Sequence, residues 1–297
     1  EANRPFENVF FFNNKMLSVI QYCIESKLLG SKTLHNFNMK YVWLYFLFKF
    51  LSGVDQSNCY LYMGYYYYYG SDYLLDKESH KVKDIHKAIS CFEKAGSDNP
   101  KALLFLGNIY HYDMHIPRDY LKALYYYKRA SNLGNIEALF ELGNLYNDDN
   151  YNNKNFLQSL HYYEQAAKEN HPKSNYLLGK FYFTGNRVEK DINKSMHYFL
   201  KAAVLKESDA LFELGNLYYY GIGVDKNYIK AGTYYYMANK QNNFNAALVL
   251  GDIYSNGKGV DINIAESIKY YLLSIQYINE ITINHLNNKY SLMAYSI

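Results

Sequence analysis

The chain of 297 residues is 49% hydrophobic and 20% charged, a globular rather than a disordered balance. A formal net charge of +3 without a basic stripe excludes a phosphate-backbone binder, so no nucleic-acid partner is assigned. The three cysteines, Cys23, Cys59 and Cys91, include no CxxC, which excludes a zinc ribbon, a thioredoxin-type motif and a disulfide framework.

Residues 1–56 read as an N-terminal helical cap or a divergent repeat. Their most apolar stretch, residues 42–51 (VWLYFLFKFL), contains Lys49 and falls short of the ~20 residues needed to cross a bilayer. It is expected to be a buried or capping helix, and no direct membrane span is assigned to this fragment. The first residue is Glu1, so a processed or partial chain is expected, and a lost signal peptide would leave no trace here.

From residue 57 a pattern repeats. Leu-Gly-x-x-Tyr recurs with its glycines at Gly107, Gly143, Gly179, Gly215 and Gly251, each 36 residues from the last. An earlier copy centres on Gly64, 43 residues before Gly107, with a charged insertion over residues 71–83. Five residues before each glycine lies a small residue (Cys59, Ala102, Ala138, Ser174, Ala210, Ala246), and three after it a tyrosine (Tyr67, Tyr110, Tyr146, Tyr182, Tyr218, Tyr254). Those offsets share one helical face and define a helix A. Pro100 and Pro172 suit its first turn, and Asn99 and Asn135 suit an N-cap. Glycine inside a helix costs about 1 kcal/mol relative to alanine, so the glycine column is read as the place where the neighbouring helix approaches closely, a side chain there holding the helices apart.

A helix B follows in each repeat. An Asp/Asn column opens it: Asp84, Asp119, Asn155, Asp191, Asn227 and Asn263. Paired aromatics come seven and eight residues on, from Tyr126-Tyr127 to Tyr270-Tyr271, flanked by small residues, and read as core rather than as a ligand platform. The GIGV and GKGV turns between A and B lack the strand and the GxGxxG of a dinucleotide site. No HExxH, GxSxG or His/Cys ligand spacing occurs, so no catalytic residue, metal site or cofactor is assigned.

The order small-x3-Leu-Gly-x2-Tyr-x2-Gly-x-Gly-Val, then Asp/Asn, Lys-Ala, Tyr-Tyr and Ala, resembles the Sel-1-like repeat, a tetratricopeptide-like family. Repeat five carries it in full: Ala210, Leu214, Gly215, Tyr218, Gly221, Gly223, Val224, Lys230, Ala231, Tyr234, Tyr235 and Ala238. The resemblance implies an all-α fold, a right-handed α-solenoid of antiparallel helix pairs, with about six 36-residue repeats over residues 57–278. Repeats two and three lack the GxGV turn. Residues 279–297, with Leu286-Asn287-x-x-Tyr290, read as a degenerate seventh helix A that caps the stack.

Solenoids of this kind bind other proteins, mainly through one helix of each pair. On helix A the columns two before and one after the glycine fall outside the apolar signature. They hold Phe105 and Asn108, Glu141 and Asn144, Leu177 and Lys180, Glu213 and Asn216, and Val249 and Asp252. They form the candidate protein-binding groove, in which the Asn108, Asn144, Asn216 and Asp252 ladder would bond the backbone of an extended partner. A plain solvated face fits the same columns. The resemblance implies a non-enzymatic scaffold or adaptor in a multiprotein complex. The eukaryotic instance it implies is a substrate-recruiting adaptor of endoplasmic-reticulum-associated degradation, with a membrane ubiquitin ligase or a client protein as partner. That instance places the chain in or against the endoplasmic reticulum lumen. The alternatives are a cytoplasmic regulator of signalling or of the cell wall, and a repeat-containing hydrolase. Relatives of the last kind pair cysteines within repeats, which this chain does not.

Overall fold

The computed structural model describes residues 56–69 and 84–294. Cys23, the apolar stretch over residues 42–51, the rest of the N-terminal segment and the insertion over residues 71–83 lie outside the described residues. All regular secondary structure among the described residues is helical. The helices are α1 Gln56–Tyr69, α2 Ile85–Lys94, α3 Pro100–Tyr112, α4 Tyr120–Asn132, α5 Ile136–Asn147, α6 Phe156–Lys168, α7 Pro172–Thr184, α8 Ile192–Val204, α9 Ser208–Tyr220, α10 Tyr228–Lys240, α11 Phe244–Asn256 and α12 Ile264–Ala294. Odd-numbered helices are the A helices and even-numbered ones the B helices. Each A packs on the B that follows it, and α2 on α3, α6 on α7, α8 on α9 and α10 on α11 continue the series. The fold is all-α, an α-solenoid of about six helix pairs. It divides into two units, one ending at Asn135 and one beginning at Ile136, and the same packing recurs inside each.

The repeated columns account for the pairing. In all six repeats the Asp/Asn side chain accepts the N–H three residues on, from Asp84 with Lys87 N at 3.0 Å to Asn263 with Glu266 N at 3.1 Å. The same residue's own N–H donates to the carbonyl of the helix A tyrosine, as in Asn227 N to Tyr218 O at 2.8 Å. One residue thus satisfies orphan groups at the end of A and at the start of B. Asn99 caps α3 as expected, accepting from Ala102 N at 3.1 Å.

The helix A glycines meet the second ring of their own repeat's helix B. A Cβ on Gly215 would lie 2.5 Å from Tyr235 Cε1, and Gly64, Gly107, Gly143, Gly179 and Gly251 stand in the same relation to Phe92, Tyr127, Tyr163, Phe199 and Tyr271. The close approach is therefore ring on backbone rather than helix on helix. Five of these rings are buried, Tyr271 being the exception, as are the small column and, in repeats two to six, the leucine before the glycine. Cys59 and Cys91 are buried with them, as small apolar residues, and burial pushes the Cys91 thiol up. In repeats two to five the first rings lie nearer the surface, while Tyr270 of repeat six is buried. They stack in parallel on the helix A tyrosines, Tyr218 on Tyr234 at 5.6 Å and Tyr146 on Tyr162 at 5.7 Å.

Repeats four to six end helix A on a left-handed glycine, Gly185, Gly221 and Gly257. Repeats two and three use an aspartate instead: Asp113 accepts from His115 N at 2.8 Å, and Asp148 from Asn150 N at 2.9 Å. At the other junction, α4, α6, α8 and α10 end on a left-handed residue, Gly134, Asn170, Lys206 and Asn242. The N–H of the next residue closes a Schellman turn, as in His171 N to Ala166 O at 2.9 Å. The corresponding residue of α12 is Ile278, a β-branched side chain that resists positive φ. The helix does not turn there: residues 279–294 prolong α12 instead of starting a separate seventh helix A.

Candidate functional site

Phe105 and Asn108 belong to the first unit, and the other eight groove residues to the second. None of the ten is fully buried, and Lys180 and Asp252 are exposed. Their surroundings are more structured than a solvated face. Asn108 Oδ1 accepts from Tyr127 Oη at 2.9 Å, Asn144 from Tyr163 at 2.7 Å, Asn216 from Tyr235 at 2.8 Å, and Asp252 from Tyr271 at 2.6 Å. Each donor is the ring that covers the glycine. Burial raises the Tyr163 and Tyr235 phenols well above their ordinary range, so these hydroxyls remain donors. One side-chain oxygen of each ladder residue is therefore already engaged within its repeat.

Two repeats extend the chain of bonds. Asn144 Nδ2 donates to Glu141 Oε2 at 3.1 Å, and Asn216 Nδ2 to Glu213 Oε2 at 3.1 Å. Tyr, Asn and Glu form one ordered unit, running from the buried ring to the surface carboxylate. Asn216 has a second amide hydrogen, and Glu213 a second carboxylate oxygen, beyond this bond. The apolar members are half-buried. Phe105 packs edge-on to Tyr65 at 4.6 Å, while Leu177 and Val249 lie against the cores beneath them.

The tyrosine hydroxyls were missed by sequence reasoning because the rings read as core. A signal for them exists within the chain. Asn or Asp follows the glycine wherever the second ring is tyrosine, in repeats two, three, five and six. Repeats one and four have Phe92 and Phe199 there, without a hydroxyl, and place Tyr65 and Lys180 after the glycine.

The face is also charged unevenly. In the second unit helices A carry Glu137, Glu141, Asp209, Glu213 and Asp252 against Lys173 and Lys180. Helices α6, α8 and α10 carry Lys168, Lys194, Lys201, Lys230 and Lys240 against Glu164.

One cluster has the elements of a hydrolytic relay. His171 Nδ1 lies 2.9 Å from Ser174 Oγ, and Nε2 lies 3.1 Å from Glu137 Oε2. Ser174 is 0% exposed, in the small column beneath helix packing, so its hydroxyl has no route to a substrate. His171 serves as the N-cap of α7, accepting Ser174 N at 3.2 Å, and so joins that helix start to α5 through Glu137. Among the described residues no cluster of His, Cys, Asp and Glu is placed to hold a metal ion, and no helix is long and apolar enough to cross a membrane.

Among solved structures, a Sel1 repeat protein from Oxalobacter formigenes matches with 24% identity, over 73% of this chain and 84% of that one, at a TM-score of 0.63. The protective antigen c5321 of uropathogenic Escherichia coli, described as having an SLR fold, matches with 20% identity and a TM-score of 0.65. That match covers 88% of this chain and 56% of the antigen, so the chain spans little more than half of the antigen's length. At these identities the likeness concerns the fold. No curated protein matches the chain. The Sel1 repeat profile matches six times in succession, over residues 57–99, 100–135, 136–171, 172–203, 208–243 and 245–276. With most of its length in these repeats, each built on the same cap, glycine and ring, the chain belongs to the Sel1 repeat family.

Proposed function

We propose that this chain is a non-catalytic scaffold that holds an extended segment of another protein against its helix A face. Sel1-repeat proteins are in general protein-interaction scaffolds. The observation that carries the reading is the Tyr-Asn-Glu unit repeated in helices α5–α6 and α9–α10. A solvated face has no need of side chains held in one rotamer by a buried phenol. Pre-ordered amide and carboxylate groups bond a partner's backbone at less entropic cost. Leu177 and Val249, in the same unit of the chain, add apolar surface in the same columns.

The test reverses charge without touching the tyrosine anchors. Glu141→Lys with Glu213→Lys should leave helicity and melting near wild type, because neither residue is in a core column. Recovery of partners from native extract should fall several-fold, since rim charges steer association. A well-folded variant with unchanged recovery would move the binding surface elsewhere. The finer reading, an adaptor of endoplasmic-reticulum-associated degradation at the lumenal face, rests on the family resemblance. Recovery of a membrane ubiquitin ligase or its clients in the same experiment is what would support it over a cytoplasmic scaffold.

A further inference from the structure

The grooves between successive helices B are not equivalent. Between α2 and α4 polar groups bridge the gap: Tyr126 Oη reaches Glu93 at 3.5 Å, and Arg129 donates to Ser97 O at 3.0 Å. Between α6 and α8 the same two columns hold Glu164 and Lys201. Between α8 and α10 they hold Leu200 and Met237, two side chains that cannot bridge the gap by polar bonds. A cavity of about 430 Å³ opens there, floored by the stacked Tyr218 and Tyr234 and walled by Leu200, Val204 and Met237. Val204 is 82% exposed, so the cavity is an open trough rather than a closed pocket.

The rim carries an uncompensated cation. In repeats one, two and four the lysine three residues after the cap pairs with an aspartate: Lys87 with Asp84 at 3.0 Å, Lys122 with Asp119 at 3.7 Å, and Lys194 with Asp191 at 3.9 Å. In repeat five the cap is the neutral Asn227. Lys230 lies 5.3 Å above the Tyr218 ring, with no carboxylate partner among the described residues. Neither α8 nor α10 contains an Asp or Glu.

We infer that the α8–α10 trough is a second docking site, for an extended acidic segment of a partner protein whose apolar side chain fills the cavity and whose carboxylate pairs with Lys230. A leucine or phenylalanine beside Asp or Glu supplies both parts. The charge difference between the two faces means that such a segment is repelled by the helix A columns and drawn to this one.

The probe is a short fluorescein-labelled peptide of alternating aspartate and leucine, with the lysine–leucine peptide as its reversed-charge control, followed by anisotropy on the full chain. The aspartate peptide should bind, more weakly as salt rises, and the lysine peptide should not. Leu200→Glu with Met237→Lys rebuilds the polar columns of the neighbouring groove and should weaken binding at least about tenfold. Lys230→Glu should do the same. All these side chains are at least partly exposed, and circular dichroism melts check folding. Should the double variant unfold, Val204→Glu blocks the trough from its most exposed wall. Three results would overturn the inference: no binding of the aspartate peptide by wild type, equal binding of both peptides, or binding untouched by Val204→Glu and Lys230→Glu. Capture of decanoate in place of the peptide would also overturn it, by reassigning the cavity to a small carboxylic acid.

Discussion

Repeats four and five fold the same backbone with different side chains. In repeat five the ring over Gly215 is Tyr235, and Asn216 accepts its hydroxyl. In repeat four the ring over Gly179 is Phe199, and Lys180 stands where no acceptor is needed. The second turn glycine of repeat five, Gly223, fits against Ile192 at φ +71°. Repeat four has Arg187 in that column, also at positive φ, with its guanidinium 5.5 Å over the Phe156 ring and bonded to Asn147 Oδ1 at 3.3 Å. Ser195 of repeat four leaves its buried hydroxyl without a partner, whereas Ser159 and Ser267 donate to the glycine carbonyl, and repeat five avoids the problem with Ala231. The lesson is that a repeat position is set by its partner across the helix pair rather than by its own column alone.

The largest expected effect breaks the comparison at the glycine both repeats share. Gly215→Leu drives a side chain into the Tyr235 ring and should cost about 1–3 kcal/mol, the usual penalty of overpacking. Gly232, in the same repeat, is the opposite case. Its column holds Ile89, Leu124, Leu160, Met196 and Ile268 elsewhere, and a Cβ on Gly232 would meet nothing within 4 Å. Gly232→Ala should therefore stabilise, by about 0.5–1 kcal/mol, through helix propensity alone. Urea midpoints of the two variants should move in opposite directions, and a shift of the same sign would remove the distinction between packing and vacant glycines.

A smaller effect sharpens it. Asn216→Ala leaves the Tyr235 hydroxyl without its acceptor and should cost about 1–2 kcal/mol, below the penalty of a fully dry site. Adding Tyr235→Phe should recover most of that loss, because the chain then has the ring of repeat four. Chemical denaturation of the two single variants and the double gives the coupling energy. If the losses simply add, the bond is not what ties the two columns.

Much of this was legible in the residues. The caps, glycines, small column and rings repeat at a fixed offset, and each is a local rule of helix ends or helix faces. The ladder was legible only as an exposed column. Its anchors lie 19 residues away on the other helix, in positions that apolar periodicity assigns to the core. Phenol hydroxyls are invisible to a pattern that counts tyrosine as apolar. The aspartate turns of repeats two and three hid for a related reason, since Asp113 and Asp148 do by side-chain bonding what glycine does by positive φ. The length of α12 followed from one residue, Ile278, whose meaning appears only when four earlier left-handed residues are aligned above it.

The smallest effect concerns a junction that repeat four has and repeat five lacks. His171 Nδ1 accepts the Ser174 N–H, so the ring proton sits on Nε2 and is donated to Glu137. That bond holds the Glu137 carboxyl below its ordinary value of 4.5. The folded-state value is the lower one, so the contribution is present in full above the ordinary carboxylate range. It is lost as pH falls below 4.5 and through the folded-state value. The Glu137 side chain is 48% exposed, and solvent screening limits the contribution to less than about 1 kcal/mol. Glu137→Gln keeps the shape and removes the titration. The urea midpoint of the variant should lie slightly below wild type at neutral pH, and the two should converge in acid. In repeat five Glu207 takes the cap position without a side-chain bond, and burial raises its carboxyl. Glu207→Gln should therefore lie slightly above wild type at neutral pH, a gap of the opposite sign that also closes as pH falls through the raised value. Parallel pH profiles for Glu137→Gln and wild type, with a constant difference down to the acid transition, would mean that the bond to His171 contributes nothing to stability.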